Sequence, residues 1–454
     1  MFLEKEGKLI YSYDGETVCI EAWGKDALRV RATKNRSFTG RDWALEAKDA
    51  HAGEVEIFED PSAKGGAFAN MYEGTDTSYG KITNGKLHAV IDSGSVITFY
   101  HEDGRVLLKE HFRRLRDEES MPLNIMGREY SNGVGDNFRI VARFVARKGE
   151  KIFGMGQYQQ HELDLKGCML ELAQRNSQVS VPFYLSSIGY GFLWNNPGVG
   201  QVMFANNGTE WVTESGKEID YLVIAGDTPA EIEENYMTLT GKPPMMPEYG
   251  MGFWQCKLRY WNQEQLLSVA RKYKELGVPL DVIVVDFFHW TKQGEFKFDP
   301  KYWPDVPGMC RELKEMGIQV VVSVWPTVDI YSENFEEMKE KGYLVRTEHG
   351  VPLTMLCGGN EVFFDATNPD ARTYVWEKIK KNYYDQGAKL FWLDVAEPEY
   401  SVYDFKNYRY QLGSVQEVGN IYPKYYLKAF YDGMTAEGDT MPISLIRSAW
   451  AGSA

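Results

Sequence analysis

The side chains best suited to chemistry are carboxylates, cations and aromatic rings that follow short apolar runs. Asp286 ends the run LDVIVVD, Asp394 ends KLFWLD and Arg447 ends SLIR. A carboxylate can act as nucleophile or proton donor and can bind hydroxyls, while an indole ring can stack on the apolar face of a sugar. These residue types therefore suit carbohydrate chemistry. The full candidate set is Trp254, Lys257, Asp286, Phe287, His289, Trp325, Trp392, Asp394, Glu397 and Arg447.

The elements that must position these residues alternate between apolar strands and amphipathic helices from residue 251 onwards. Near-continuous apolar runs are typical of buried parallel strands, and their alternation with helices predicts a (β/α) TIM-type barrel. Catalytic groups of such barrels lie at the C-terminal ends of the strands. The sequence shows only about five βα units. Because a closed barrel needs eight strands, we expect the barrel in this chain to be incomplete. The predicted strands span 250–257, 280–288, 319–326, 389–395 and 441–450.

Each candidate also has a purely structural explanation. A charged residue after a buried strand is often only the first solvated position, Trp325 before Pro326 suits packing, and Glu397 could cap the following segment. Four of the five strands end in ionisable groups, which favours the functional interpretation. His289 has no second His or Cys at ligand spacing, so no metal site is expected.

Residues 1–240 show a different pattern. Short alternating segments such as ALRVRATKN and FRIVARFVARKG, separated by Gly, Asp and Asn, predict an antiparallel β-sandwich domain. The segment GDTPAEIEENYMTLTG predicts one helix with Asp227 or Thr228 as its N-cap. Residues 241–250 are rich in Pro and Gly and predict a linker, after which the barrel spans 251–454.

Composition excludes several classes of partner. The formal net charge of −15 would repel nucleic acid and anionic membrane surfaces. The start MFLEKEGKLIYSY lacks the basic head and apolar run of a signal peptide. Neither zinc nor a disulfide framework is indicated, so we expect a cytoplasmic protein without cofactors. The five cysteines are widely spaced: Cys19, Cys168, Cys256, Cys310 and Cys357.

Several motifs together resemble glycoside hydrolase family 31. FWLDVAEPE is similar to the family's nucleophile motif, an aromatic-rich strand followed by Asp-x-x-Glu-Pro, which implies Asp394 as nucleophile and Glu397 as a supporting residue. DFFHWTKQGEFKFDP resembles the second-strand signature, and Asp286 would then hold two sugar hydroxyls. LIRSAWAGS resembles the fifth-strand run, whose Arg, here Arg447, contacts substrate. We expect Lys257, Phe287, His289, Trp325 and Trp392 to complete the substrate-binding surface.

The resemblance extends from about residue 150 to the end of the sequence. GFWQCKLRY resembles the first barrel strand, and VPFYLSSIGYGFLWNN resembles the N-terminal domain, one loop of which reaches over the active site. The resemblance implies a retaining mechanism in which Asp394 forms a covalent glycosyl intermediate. The family's acid/base is an Asp in a Trp-x-Gly-Asp context that this sequence does not contain. We therefore expect this chain alone to be inactive on natural glycosides, with a complementing C-terminal chain or a homo-oligomer as possible partners.

The substrate stays open at this stage. KLRY and the FHW loop resemble the bacterial α-xylosidase branch, whereas α-glucosidase or α-galactosidase activity is an alternative on the same scaffold. An α-glucan lyase would share the nucleophile. A non-catalytic glycan-binding protein is the alternative from another class, although such a module has no need of the Asp394-x-x-Glu397 pattern.

Overall fold

The computed structural model describes residues 1–59, 78–92, 94–111, 125–349, 360–400 and 403–453, so Cys357 lies outside the described residues. The chain divides into two compact units. One, the β unit, comprises residues 1–173, 179–242 and 450–454. The other, the α/β unit, comprises residues 174–178 and 243–449. The short segment 174–178 therefore belongs to the α/β unit although it is flanked in sequence by the β unit.

The β unit is built from short antiparallel strands and one helix among its described residues. The strands are β1 Phe2–Lys5, β2 Lys8–Tyr13, β3 Glu16–Trp23, β4 Ala27–Thr33, β5 Ala50–His51, β6 Glu54–Glu59, β7 Ser78–Asn84, β8 Leu87–Ile91, β9 Ile97–His101, β10 Val106–Lys109, β11 Arg128–Asn132, β12 Phe138–Phe144, β13 Ile152–Gln157, β14 Met169–Leu172, β15 Val179–Ser186, β16 Tyr190–Trp194, β17 Gly200–Phe204, β18 Thr209–Gly216 and β19 Ile219–Ala225. The helix α1 spans Pro229–Thr240.

These strands form three antiparallel sheets. The largest has the order β1-β2-β3-β4-β19-β16-β15-β13, with β5 paired to β3, and the others have the orders β10-β9-β8-β7-β6 and β11-β12-β18-β17-β14. All three contribute to one apolar core, for example through Leu28, Phe99 and Trp211. The predicted antiparallel character of this region is confirmed. Of the two predicted caps of α1, Thr228 is the one observed, since its side chain accepts from the Glu231 amide.

The α/β unit contains parallel strands followed by helices. In chain order its elements are β20 Trp254–Gln255, α2 Gln263–Glu275, β21 Val282–Val285, α3 Val306–Glu315, β22 Gln319–Val324, β23 Thr327–Asp329, α4 Phe335–Glu340, β24 Arg346–Thr347, β25 Glu361–Phe363, α5 Pro369–Asn382, β26 Leu390–Leu393, β27 Tyr408–Arg409, α6 Val415–Val418, α7 Tyr422–Ala436 and β28 Ser444–Ile446. Single-turn 3₁₀ segments lie at Ala47–Asp49 in the β unit and at Glu248–Met251, Tyr384–Gln386 and Gly419–Ile421 here. Within the described ranges, no helix has the length and apolar character needed to cross a bilayer.

Five strands form one parallel sheet in the order β20-β21-β22-β26-β28. They correspond to the five predicted barrel strands, but each is shorter than predicted. The backbone explains two of these early ends. Phe288 has φ +61° and Val395 has φ +57°, a left-handed conformation that cannot continue a strand. These residues lie three positions after β21 and two positions after β26, so the strands cannot extend past the segments that contain Asp286 and Asp394.

Candidate active site

Three candidate residues each lie one position after the last residue of a strand in the parallel sheet. Asp286 follows β21, Asp394 follows β26 and Arg447 follows β28. Backbone hydrogen bonds hold two of them in line: the Asp394 amide donates to Val324 O at 3.1 Å, and the Arg447 amide donates to Leu393 O at 3.2 Å. Because C-terminal ends of parallel strands meet at one edge, these side chains converge.

The Asp394 carboxylate is buried and fixed through one oxygen. Its Oδ1 accepts from the Val395 amide at 2.9 Å and lies 3.3 Å from Arg447 Nε. Burial raises the pKa of Asp394, while Arg447 and the Val395 amide act in the opposite direction. Val395 is β-branched and has φ +57°, so the backbone of the turn after β26 is strained.

Arg447 is surrounded by carboxylates. Its Nε and Nη2 donate to the two oxygens of Glu397 at 2.9 Å each, and Nη2 also donates to Glu399 at 2.5 Å. Burial alone would lower the pKa of Arg447, but Glu397, Asp394 and Glu399 raise it above its ordinary value. Burial raises the pKa of Glu397, and Arg447 opposes that rise. One cation therefore organises three carboxylates.

Asp286 is a second buried carboxylate beside Asp394. Its Oδ1 accepts from the Phe287 amide at 2.8 Å, and Cys256 Sγ lies 3.7 Å from its Oδ2. Burial raises the pKa of Asp286, the Phe287 amide lowers it, and the negative charge of Asp394 raises it further. The two carboxylates therefore interact electrostatically in a partly desolvated site, and both can accept hydrogen bonds.

Aromatic rings line the same region. Phe287 stacks on Trp325 with centroids 5.1 Å apart and an interplanar angle of 14°. The Trp325 indole N–H lowers the pKa of Asp394, although no acceptor among the described residues lies within hydrogen-bond geometry of it. Trp392, half-buried on β26, packs against the apolar cluster of Val282, Val284 and Val321. Its role in the structure is packing.

The structure places His289 beside the backbone of Asp286 and Lys257 in an exposed position. The His289 ring is buried, with Nδ1 3.0 Å from Asp286 O and Nε2 2.9 Å from the Tyr383 hydroxyl. Burial lowers the pKa of His289 to about 4, so the ring is neutral near pH 7. Its contacts hold the Asp286 turn in place. Lys257 is exposed, and within the described ranges its ammonium has no ion pair.

The segment 174–178 supplies contacts that sequence reasoning missed. Asn176 Nδ2 donates to Glu399 Oε1 at 2.6 Å, and the Asn176 amide donates to the Tyr403 hydroxyl oxygen at 3.0 Å. Gln174 donates to Ala449 O and accepts from the Ser448 hydroxyl, both at 3.0 Å. The sequence held a signal for Glu399, because this residue lies two positions after Glu397. Nothing in the sequence QRNSQ distinguishes Asn176.

Buried carboxylates, a cation and stacked aromatic rings at the C-terminal edge of a parallel sheet form a site that could bind a carbohydrate. Comparison with known proteins makes this assignment specific. Residues 243–454 match the sequence profile of the glycosyl hydrolases family 31 TIM-barrel domain. The chain is 45% identical over 462 residues to an uncharacterized family 31 glucosidase, ORF2, of Pseudescherichia vulneris, covering 99% of this chain and 84% of that protein. This chain belongs to glycoside hydrolase family 31.

Within the family the chain is close to α-xylosidases. It is 30% identical to α-xylosidase A of Aspergillus niger over 96% of this chain. The crystal structure of a family 31 α-xylosidase from a soil metagenome, complexed with xylose, superposes on the whole chain with a TM-score of 0.93 at 50% identity. The chain spans 62% of the length of the fungal enzyme and 66% of the metagenomic one.

Proposed function

We propose that this chain acts on non-reducing terminal α-linked sugars as a retaining α-glycosidase, with α-xylosides favoured. The observation that carries the proposal is the buried Asp394 carboxylate at the end of β26. Its Oδ1 is held by the Val395 amide and Arg447, which leaves Oδ2 to attack the anomeric carbon; the bond from that carbon to the leaving group breaks, the leaving group takes the electron pair, and a glycosyl ester forms. The similarity to α-xylosidases supports the choice of sugar.

The neighbouring residues take supporting roles in this proposal. Asp286 accepts hydrogen bonds from two sugar hydroxyls, and the stacked pair of Phe287 and Trp325 forms an apolar wall beside them. Glu397 fixes Arg447, which in turn orients Asp394. His289 acts on Asp286 as a positioning residue through the backbone.

Retention also needs a proton donor about 5–5.5 Å from the nucleophile. Glu397 and Glu399 both pair with Arg447, and a paired carboxylate has no proton to donate. Among the described residues we assign none to this role.

The test uses α-xylosyl fluoride, because fluoride departs from the anomeric carbon without protonation. We expect a burst of about one equivalent of fluoride per chain, followed by slow turnover, measured with a fluoride electrode. Asp394→Ala should abolish the burst, whereas Glu315→Gln, an exposed carboxylate of α3, should leave it unchanged. A burst that survives Asp394→Ala would contradict the proposal. A faster burst with α-glucosyl fluoride would favour the α-glucosidase alternative.

A further inference from the structure

Helix α7 carries two buried tyrosines on one face. Tyr422 and Tyr426 lie four positions apart, which is about one helical turn, and both residues are completely buried. Each hydroxyl donates to a main-chain carbonyl oxygen: Tyr422 to Phe364 O at 2.8 Å, and Tyr426 to Val324 O at 2.9 Å. Because a buried hydroxyl without a partner costs free energy, both bonds contribute to the fold. The two tyrosines therefore make the same kind of contact with two different carbonyls.

The carbonyl that Tyr426 contacts also holds the proposed nucleophile. Val324 is the last residue of β22, and its oxygen accepts from the Asp394 amide at 3.1 Å. A carbonyl oxygen has two lone pairs, so it can accept both bonds at once. Burial raises the pKa of Tyr426, and the negative charge of Asp394 raises it further, so the hydroxyl keeps its proton and remains a donor. Tyr426 is thus connected to Asp394 through one shared oxygen atom.

The main chain at Asp394 needs such an anchor. Val395, the next residue, has φ +57°, and strained backbone of this kind persists only where the surroundings enforce it. The Asp394 amide also lies 3.1 Å from Trp392 O, so it has one acceptor on the neighbouring strand and one close by in its own chain segment. If the Val324 carbonyl is free to tilt, the amide can shift towards Trp392 O and take the carboxylate with it.

We propose that Tyr426 is a positioning residue for the nucleophile, because its hydroxyl fixes the Val324 carbonyl that holds the Asp394 amide. This inference rests on the proposed function and adds a residue that lies outside the motif FWLDVAEPE. Tyr426 acts through main-chain atoms and makes no contact with the sugar. The formation of the glycosyl ester should therefore depend on the Tyr426 hydroxyl, whereas the binding of the sugar to Asp286 should not.

The test compares Tyr426→Phe with Tyr422→Phe, and each variant loses one hydroxyl from the same face of α7. With α-xylosyl fluoride, Tyr426→Phe should lower the rate of the fluoride burst about fivefold and keep its amplitude at about one equivalent per chain. The dissociation constant of free xylose, measured by isothermal titration calorimetry, should stay unchanged. Tyr422→Phe is the matched control: it should lower the unfolding temperature by a similar amount and leave the burst rate unchanged.

A second variant separates the hydrogen bond from the ring. Replacement of Tyr426 by 4-aminophenylalanine keeps the ring and supplies an N–H donor for Val324 O, so it should restore most of the burst rate. Equal burst rates in Tyr426→Phe and Tyr422→Phe would overturn the positioning role. A burst that stays slow with 4-aminophenylalanine, or a loss of xylose binding that accompanies the slow burst, would also overturn it. Absence of a burst in the unmodified protein would instead refute the proposed function.

Discussion

The Arg447 guanidinium and the Glu397 carboxylate form a bidentate ion pair, in which the Nε–Oε1 and Nη2–Oε2 distances are both 2.9 Å. Glu397 is almost completely buried, so this pair is shielded from water on the carboxylate side. The same Arg447 Nε lies 3.3 Å from Asp394 Oδ1. The pair therefore fixes the cation that contacts the proposed nucleophile, and we expect stability and activity to depend on the same contact.

Arg447→Met should destabilise the chain strongly, because it leaves Glu397 charged and unpaired in a buried position. We expect a loss of about 3 kcal/mol in the free energy of unfolding, measured by urea denaturation. Arg409→Met is the matched control, since it removes an exposed pair with Glu348 at 2.6 Å and should cost less than about 1 kcal/mol. Equal losses in the two variants would show that burial of the Glu397 pair is unimportant.

Asp286→Asn should stabilise the protein at neutral pH while it impairs sugar binding. Burial and the Asp394 charge raise the folded-state pKa of Asp286, so the ionised form is disfavoured in the folded protein. The stability gained by the substitution is present above that raised pKa and disappears as pH falls through it, because the native carboxyl is then protonated. Thermal unfolding from pH 7 to pH 4 measures this. Exposed Asp404→Asn should show no such pH-dependent gain.

His289 should make the protein sensitive to mild acid. Its ring is neutral in the folded state with a pKa of about 4, against an ordinary value of 6.5. The unfolded chain therefore binds the proton first, and stability falls as pH drops below 6.5, by roughly 2 kcal/mol between pH 7 and pH 5. His289→Gln should remove this part of the pH dependence, and His161→Gln, an exposed histidine, should retain it. An unchanged slope in His289→Gln would contradict the assignment.

Asn176→Ala should slow the reaction with α-xylosyl fluoride more than it affects stability. The side chain donates to Glu399, which shares Arg447 with Asp394, so its loss frees part of the network around the nucleophile. We expect the burst rate to fall by up to about tenfold. Ser177→Ala, which removes only a hydroxyl donor to Asn176, is the control. Equal burst rates in both variants would limit segment 174–178 to a structural role.

Much of the fold was predictable because its signals are local. The apolar runs predicted the five parallel strands, and the motif FWLDVAEPE singled out Asp394 and Glu397 at the end of the fourth of them, whereas Glu399 was not predicted. The predicted strand ends were less accurate, because no sequence pattern indicates the positive φ angles of Phe288 and Val395.

The contacts of the site were harder to predict. His289 follows a strand like a substrate ligand, but its ring turns inward to Asp286 O and Tyr383, a distant partner that no spacing rule indicates. Trp392 points into the apolar cluster of the sheet because side chains alternate along a strand. Asn176 reaches Glu399 across 223 positions of sequence, and only the folded chain brings them together.

The most direct test of the proposed mechanism is to locate the covalent bond between the sugar and the enzyme. After incubation with 5-fluoro-α-xylosyl fluoride, mass spectrometry of the proteolysed chain should find the 5-fluoroxylosyl adduct on the peptide that contains Asp394, and fragmentation should place it on that carboxylate. Asp394→Ala should carry no label, and Asp286→Asn should be labelled at Asp394 more slowly. A folded sample without label, or one labelled on another carboxylate, would contradict the account.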